Sequence, residues 1–110
     1  MAVTIADKTR SEDKIRDEAR QILNFHDDEN AISDTGQITT FNQLGFTSVM
    51  DKPDGWYLPH NTGDVAIILE TKAEATDLDN QKWVDELNKN VDITMTKYRH
   101  VIGILYNGRT

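Results

Sequence analysis

Three side chains stand out by type and spacing: Asp54, which follows Pro53, and Glu70 and Lys72, which close the apolar run Val65-Ala66-Ile67-Ile68-Leu69. Delivered by adjacent strands, two carboxylates and an amine could bind a divalent cation and hydrolyse a phosphodiester. Carboxylate oxygens are hard ligands suited to Mg²⁺, which keeps several waters and readily takes a phosphate oxygen. The cation would orient or acidify water and neutralise charge developing on phosphorus. Lys72 would hold the attacking water and stabilise the pentavalent transition state. Its alternative role is structural, an ion pair with Asp54 or Glu70 that offsets the crowding of the two acids.

Whether the three can meet is a question of pleat geometry. Asn61-Thr62-Gly63 lies midway between Asp54 and Glu70, and a three-residue hairpin loop commonly takes glycine at its left-handed third position, where Gly63 falls. Paired positions keep a constant sum along an antiparallel ladder. His60 then faces Asp64, Leu58 faces Ala66, Trp56 faces Ile68, and Asp54 faces Glu70. Directly opposed residues share a face, with Cβ atoms roughly 4.5–5.5 Å apart, and Lys72 returns to that face two residues beyond Glu70. Pro59 falls opposite Val65 at a non-hydrogen-bonded position, where its missing N–H costs nothing. A slip of one residue would put the two carboxylates on opposite faces.

The elements that must carry this hairpin follow from periodicity and capping. Ser11 can cap a helix from Glu12 to about Phe25, with acidic residues in its first turn. Ile15, Ala19, Ile22, Leu23 and His26 share one stripe at helical spacing. Glu18 sits on the edge of that stripe, and of the acids on this helix it is the best placed to look into a site beside the sheet; otherwise it is a solvated flank charge. A first strand lies between Ala31 and Met50, with Ile38-Thr39-Thr40-Phe41 and Gly45-Phe46-Thr47-Ser48-Val49 as competing locations. A second helix is predicted from about Asp79 to Arg99, with Trp83, Leu87, Val91, Met95 and Tyr98 as its core residues. The last strand, Val101–Tyr106, would join by a right-handed crossover and run into a turn at Asn107-Gly108.

Pro53-Asp54 followed by Glu70-Thr71-Lys72 at the end of an apolar strand resembles the PD-(D/E)xK nuclease superfamily. With the helix-like stretch and final strand that follow, the chain resembles, more narrowly, the N-terminal nuclease domain of restriction endonucleases, those of type I motor subunits and of fused restriction-modification enzymes. That group often carries Gln-x-x-x-Tyr in its second helix; here Thr94 stands four residues before Tyr98. The resemblance implies an α/β fold with an αβββαβ core, a restriction-endonuclease-like mixed sheet flanked by helices. It also implies a Mg²⁺-dependent endodeoxyribonuclease, with Mn²⁺ as a possible substitute. Asp54, Glu70 and Lys72 would be catalytic, and Asp54, Glu70 and the Thr71 carbonyl would ligate the metal. Glu18 stands where some members place an extra ligand. The partners implied are DNA and the other domains or subunits of a restriction-modification enzyme. The alternatives are a repair or junction nuclease of the same superfamily and a non-catalytic interaction domain that retains the fold.

Composition bounds these readings. The 110 residues make one domain, too small to hold a helicase or methyltransferase as well, and the ending just after an apparent strand suggests the N-terminal piece of a longer protein. There is no cysteine, which excludes disulfides and thiolate metal sites. No stretch approaches the roughly 18 apolar residues of a membrane span, and Met1–Arg10 does not read as a signal peptide; a cytoplasmic location is expected. His26, His60 and His100 lack zinc-ligand spacing, and no phosphate-binding G-x-x-x-x-G-K-[ST] loop occurs. The net charge of −7 opposes tight DNA binding by this domain alone, because duplex affinity is dominated by phosphate neutralisation.

Overall fold

The structure is a computed structural model that describes residues 11–26, 28–74, 78 and 80–108; Met1–Arg10, and Asp79 at the expected start of the second helix, lie outside the described residues. Helix α1 spans Glu12–Leu23, led by Ser11 in extended conformation and by Glu12 and Asp13 in its first turn. It ends where Asn24 turns left-handed, at φ 56°, and returns its N–H to the Arg20 carbonyl, a common way for a helix to stop. This stop changes the predicted stripe. Ile15 and Ala19 are buried, but Ile22 is 66% exposed and His26 lies outside the helix in solvent. The turn at Asn24 carries Phe25 into the interior instead, where it stacks on Tyr57 at 6.1 Å between ring centroids.

Strand β1 (Ala31–Thr35) pairs antiparallel with β2 (Gly55–Pro59), and β2 pairs antiparallel with β3 (Ala66–Thr71). Helix α2 (Gln81–Met95) then crosses to β4 (Val101–Tyr106), which lies parallel to β3. Among the described residues the result is a mixed four-stranded sheet in the order β1-β2-β3-β4 with two helices, in the predicted succession αβββαβ.

The first strand lies within the expected stretch from Ala31 to Met50, at its start, and in neither of the two finer locations. The Asp28 carboxylate accepts the N–H groups of Asn30 and Ala31 at 2.7 and 2.8 Å and launches the strand there. The β-compatible residues downstream form a folded loop. Phe41 N–H reaches the Asp51 carbonyl, Asn42 N–H reaches that of Val49, and the Asn42 side chain accepts from Ser48 N–H. Phe41, Leu44 and Phe46 from this loop plug one end of the core.

Helix α2 begins at its cap Asn80, whose side chain accepts from Lys82 N–H. Its most buried residues are Asn90 and Thr94, while Met95 is half exposed. A stripe stepped by four at every turn, 83-87-91-95, drifts about 40° per step around a helix of 3.6 residues per turn. Leu87 and Val91 still meet Gly103 of β4; the drift carries Met95 off the sheet, and Asn90 and Thr94 take the deepest positions. Tyr98 lies beyond the helix end and is core, as predicted; its hydroxyl donates to the Pro59 carbonyl at 2.6 Å. Among the described residues, no helix is long and apolar enough to cross a membrane.

Candidate active site

The β2–β3 register is the predicted one. Trp56 pairs with Ile68, Gly55 with Leu69 and Tyr57 with Ile67, so the constant sum sets Asp54 against Glu70 at the open end of the ladder. At its other end the hairpin departs from expectation. Strand pairing stops at Tyr57–Ile67, Pro59 pairs with Ala31 of β1, and Val65 lies outside the strands. Gly63 is not left-handed. Asn61 makes the turn instead, its side chain accepting from Gly63 N–H and its carbonyl from Asp64 N–H. An asparagine that bonds its own backbone two residues on removes the need for a glycine at positive φ.

Asp54 is fixed from two directions. Its carbonyl accepts from Gly36 N–H at 2.9 Å, and its Oδ2 accepts from the N–H of Thr71 at 2.8 Å and from the Thr71 hydroxyl at 3.3 Å. The carboxylate thus takes over a β3 amide just before strand β2 begins. The next residue must be small. A Cβ on Gly55 would stand 2.8 Å from Leu69 Cδ2 and 3.0 Å from Leu69 Cβ, so any side chain there would push β2 off β3 beside the site.

Glu70 is buried on the α2 face, where the Asn90 amide donates to its Oε1. Burial pushes its carboxyl up to about 9; the Asp54 charge, a hydrogen bond shared with Asp54 and the charge of Glu86 act in the same direction, and the Asn90 amide opposes them. A hydrogen bond between two carboxyl groups needs a proton between them. Two bare carboxylates so close would repel each other, so the pair favours holding a proton in the metal-free protein.

Lys72 extends beyond β3, its N–H donating to the Tyr106 carbonyl. Its ammonium partner is Glu86 of α2, at 3.4 Å, rather than Asp54 or Glu70, and the same nitrogen lies 4.1 Å from the centre of the Trp83 ring. Glu18, the first-helix acid singled out by the sequence, accepts a hydrogen bond from the Tyr106 hydroxyl. The first-helix acid coupled to the site is Glu12. Burial raises its pKa and the Asp54 charge adds to the rise, while Lys72 and Arg16 pull it back.

The structure therefore brings together Asp54, Glu70 and Thr71, and places Lys72 beside them on Glu86 and Trp83. Four residues that serve this corner were not assigned to it from the sequence: Glu12, Trp83, Glu86 and Asn90. Each carried a signal. Glu12 stands three residues before Ile15 on the buried stripe of α1, and Glu86 and Asn90 follow Trp83 at helical spacing as polar interruptions of an otherwise apolar face.

Among the described residues, no group of three or more His, Cys, Asp or Glu side chains forms a ready-made metal cage. The donor set nevertheless suits a cation that brings its own waters. Two carboxyl groups face each other across the hairpin, and one oxygen of each remains uncommitted to the Thr71 and Asn90 donors. Compared with known protein families, curated proteins and solved structures, the chain shows no match.

Proposed function

We propose that this chain is a Mg²⁺-dependent DNA endonuclease module of the PD-(D/E)xK type, working within a restriction enzyme. One observation carries the reading: the hairpin register sets Asp54 against Glu70, with the Thr71 N–H on the Asp54 carboxylate and Lys72 next along the chain. Asp54, Glu70 and the Thr71 carbonyl would hold the metal, with Mn²⁺ as a substitute, and the bound ion would supply an activated water and neutralise phosphate charge. Lys72 would donate to the attacking water and to the oxygen that gains charge at phosphorus. Asn90 keeps the Glu70 carboxyl oriented. With a net charge of −7, the domain would depend on attached domains or subunits for most of its DNA affinity.

The test combines metal titration and cleavage. Wild type should bind Mg²⁺ or Mn²⁺ in a calorimeter and Asp54→Ala should lose that site. With its partner subunits supplied, the enzyme should cut DNA only with metal, and Lys72→Ala should abolish cutting while leaving DNA binding intact. Cleavage at the wild-type rate by a folded Lys72→Ala protein would sink the mechanism. A second reading, a non-catalytic interaction domain with the same fold, draws support from the pairing of Lys72 with Glu86 and from the acidic balance. Equal metal binding by wild type and Asp54→Ala, with no cleavage by either, would favour it.

A further inference from the structure

Trp83, Glu86 and Asn90 lie three and four residues apart, on one face of α2, and all three touch the corner where β3 ends. Asn90 holds Glu70, whereas Trp83 and Glu86 both act on Lys72. The Lys72 side chain is 12% exposed and that of Glu86 43%, so the amine sits inside and the acid closes over it from the solvent side. We propose that Trp83 and Glu86 form a clamp that fixes the Lys72 ammonium beside the Asp54–Glu70 pair, making Glu86 a positioning residue for Lys72. The catalytic consequence rests on the nuclease reading; the clamp itself does not.

The physical case is one of preorganisation. A lysine head on four rotatable bonds samples many positions, and reaction rates fall steeply when a reacting group is misplaced by an ångström. An ion pair as exposed as Glu86 is a weak restraint alone. The indole face at 4.1 Å adds a second restraint of different origin. Lys82 also approaches this ring, at 5.0 Å, and the Glu86 carboxylate offsets the two cations that the ring gathers. Among the described residues, Glu12 from α1 also feels the Lys72 charge, and Asp54 and Glu70 stand beside it on the sheet. Glu86 gives the ammonium a partner that leaves both of these acids available to a metal.

Amine acetylation of the metal-free protein, read residue by residue by mass spectrometry, tests the clamp without any activity. Lys89, whose side chain is 61% exposed, serves as internal reference. Lys72 should react slowly in wild type, Glu86→Gln and Trp83→Leu should each speed its labelling about threefold, and the double variant about tenfold, the combined scale of one ion pair and one ring contact. Thermal melts establish that the variants are folded. In the cleavage assay Glu86→Gln should lower kcat about tenfold with KM unchanged, and Trp83→Phe, which keeps an aromatic face, should retain activity that Trp83→Leu loses. Equal Lys72 labelling in wild type and Glu86→Gln overturns the clamp. An unchanged kcat with a lowered KM overturns the positioning role, because Glu86 would then be competing with phosphate for Lys72. Slow, Glu86-dependent labelling in a wild type that never cleaves DNA supports the clamp and counts against the nuclease reading, so the two fail separately.

Discussion

The two faces of the sheet are built to different standards. Under α2, Trp56, Leu58, Ala66 and Ile68 pack with Phe41, Leu44, Phe46 and Tyr98 into the larger core. Under α1, Ile15, Ala19, Phe25 and Leu69 are enclosed, and a cavity of about 200 Å³ opens between Ala19, Ile22, Leu23, Leu69, Ile104 and Tyr106. The polar corner belongs to the packed face. A carboxyl group can be held far from its ordinary protonation state only where neighbours cannot rearrange or admit water to solvate it. The close-packed face provides that rigidity for Glu70, whereas Glu12 on α1 is shifted in the same direction but stays only partly buried.

The largest effect that contrast predicts is in the core itself. Ile68, fully buried one turn of the pleat from Glu70, should cost about 2–5 kcal/mol when replaced by alanine, because the packed face cannot collapse into the void. Denaturant unfolding measures it directly. A loss below 1 kcal/mol would mean that the α2 face is as loose as the other.

Next comes the pH dependence that Glu70 imposes. Its carboxyl is pushed up to about 9 in the folded chain against an ordinary value of 4.5, so the folded state keeps a proton that the unfolded state releases. The stabilising effect is fully present below about 4.5 and is lost as pH rises through about 9. Metal-free wild type should therefore lose stability across this window relative to Glu70→Gln, which carries no titrating proton. Mg²⁺ should reverse the loss and release protons on binding, visible as a buffer-dependent heat in calorimetry. Parallel urea midpoints for wild type and Glu70→Gln from acid to alkaline pH would contradict the buried, protonated acid.

A smaller effect tests the seam between the faces. Gly55→Ala forces a Cβ against Leu69, whereas a Cβ on Gly36 meets nothing within 4 Å. The first should cost about 1–3 kcal/mol by overpacking and should weaken metal binding by displacing Asp54. Gly36→Ala should do neither, and similar losses in both would show that the β2–β3 spacing is not limiting.

How much of this was legible depended on how local the deciding interaction was. The register setting Asp54 against Glu70 could be read because a strand has a fixed period and the loop sits midway. The loop itself could not, because Asn61 bonding its own backbone gives the same chain reversal without a left-handed Gly63. The position of β1 was hidden for a similar reason: Asp28 launches the strand at Ala31, and the apolar residues that followed were needed as a plug for the core. The partner of Lys72 was the least legible feature. Choosing among Asp54, Glu70 and Glu86 requires knowing how far along the sheet α2 is docked, and no spacing within α2 contains that.

The smallest expected effect belongs to the open face. Ile22 is a large apolar residue on the rim of the cavity with two thirds of its surface already in water. Its replacement by serine removes little buried area, adds no buried polar group and leaves the α1 caps at Ser11 and Asn24 untouched. Stability should change by no more than about 0.5 kcal/mol, the usual range for surface substitutions away from a structural device, and metal binding should not change at all. The same substitution at Leu69, on the floor of this cavity but fully buried opposite Gly55, buries an unpartnered hydroxyl and empties the volume of an isobutyl group, so it should unfold a large fraction of the protein. If Ile22→Ser also proved severe, the α1 face would have to be as tightly packed as the α2 face, and the difference between the two would no longer explain why Glu70 keeps its proton on one side of the sheet.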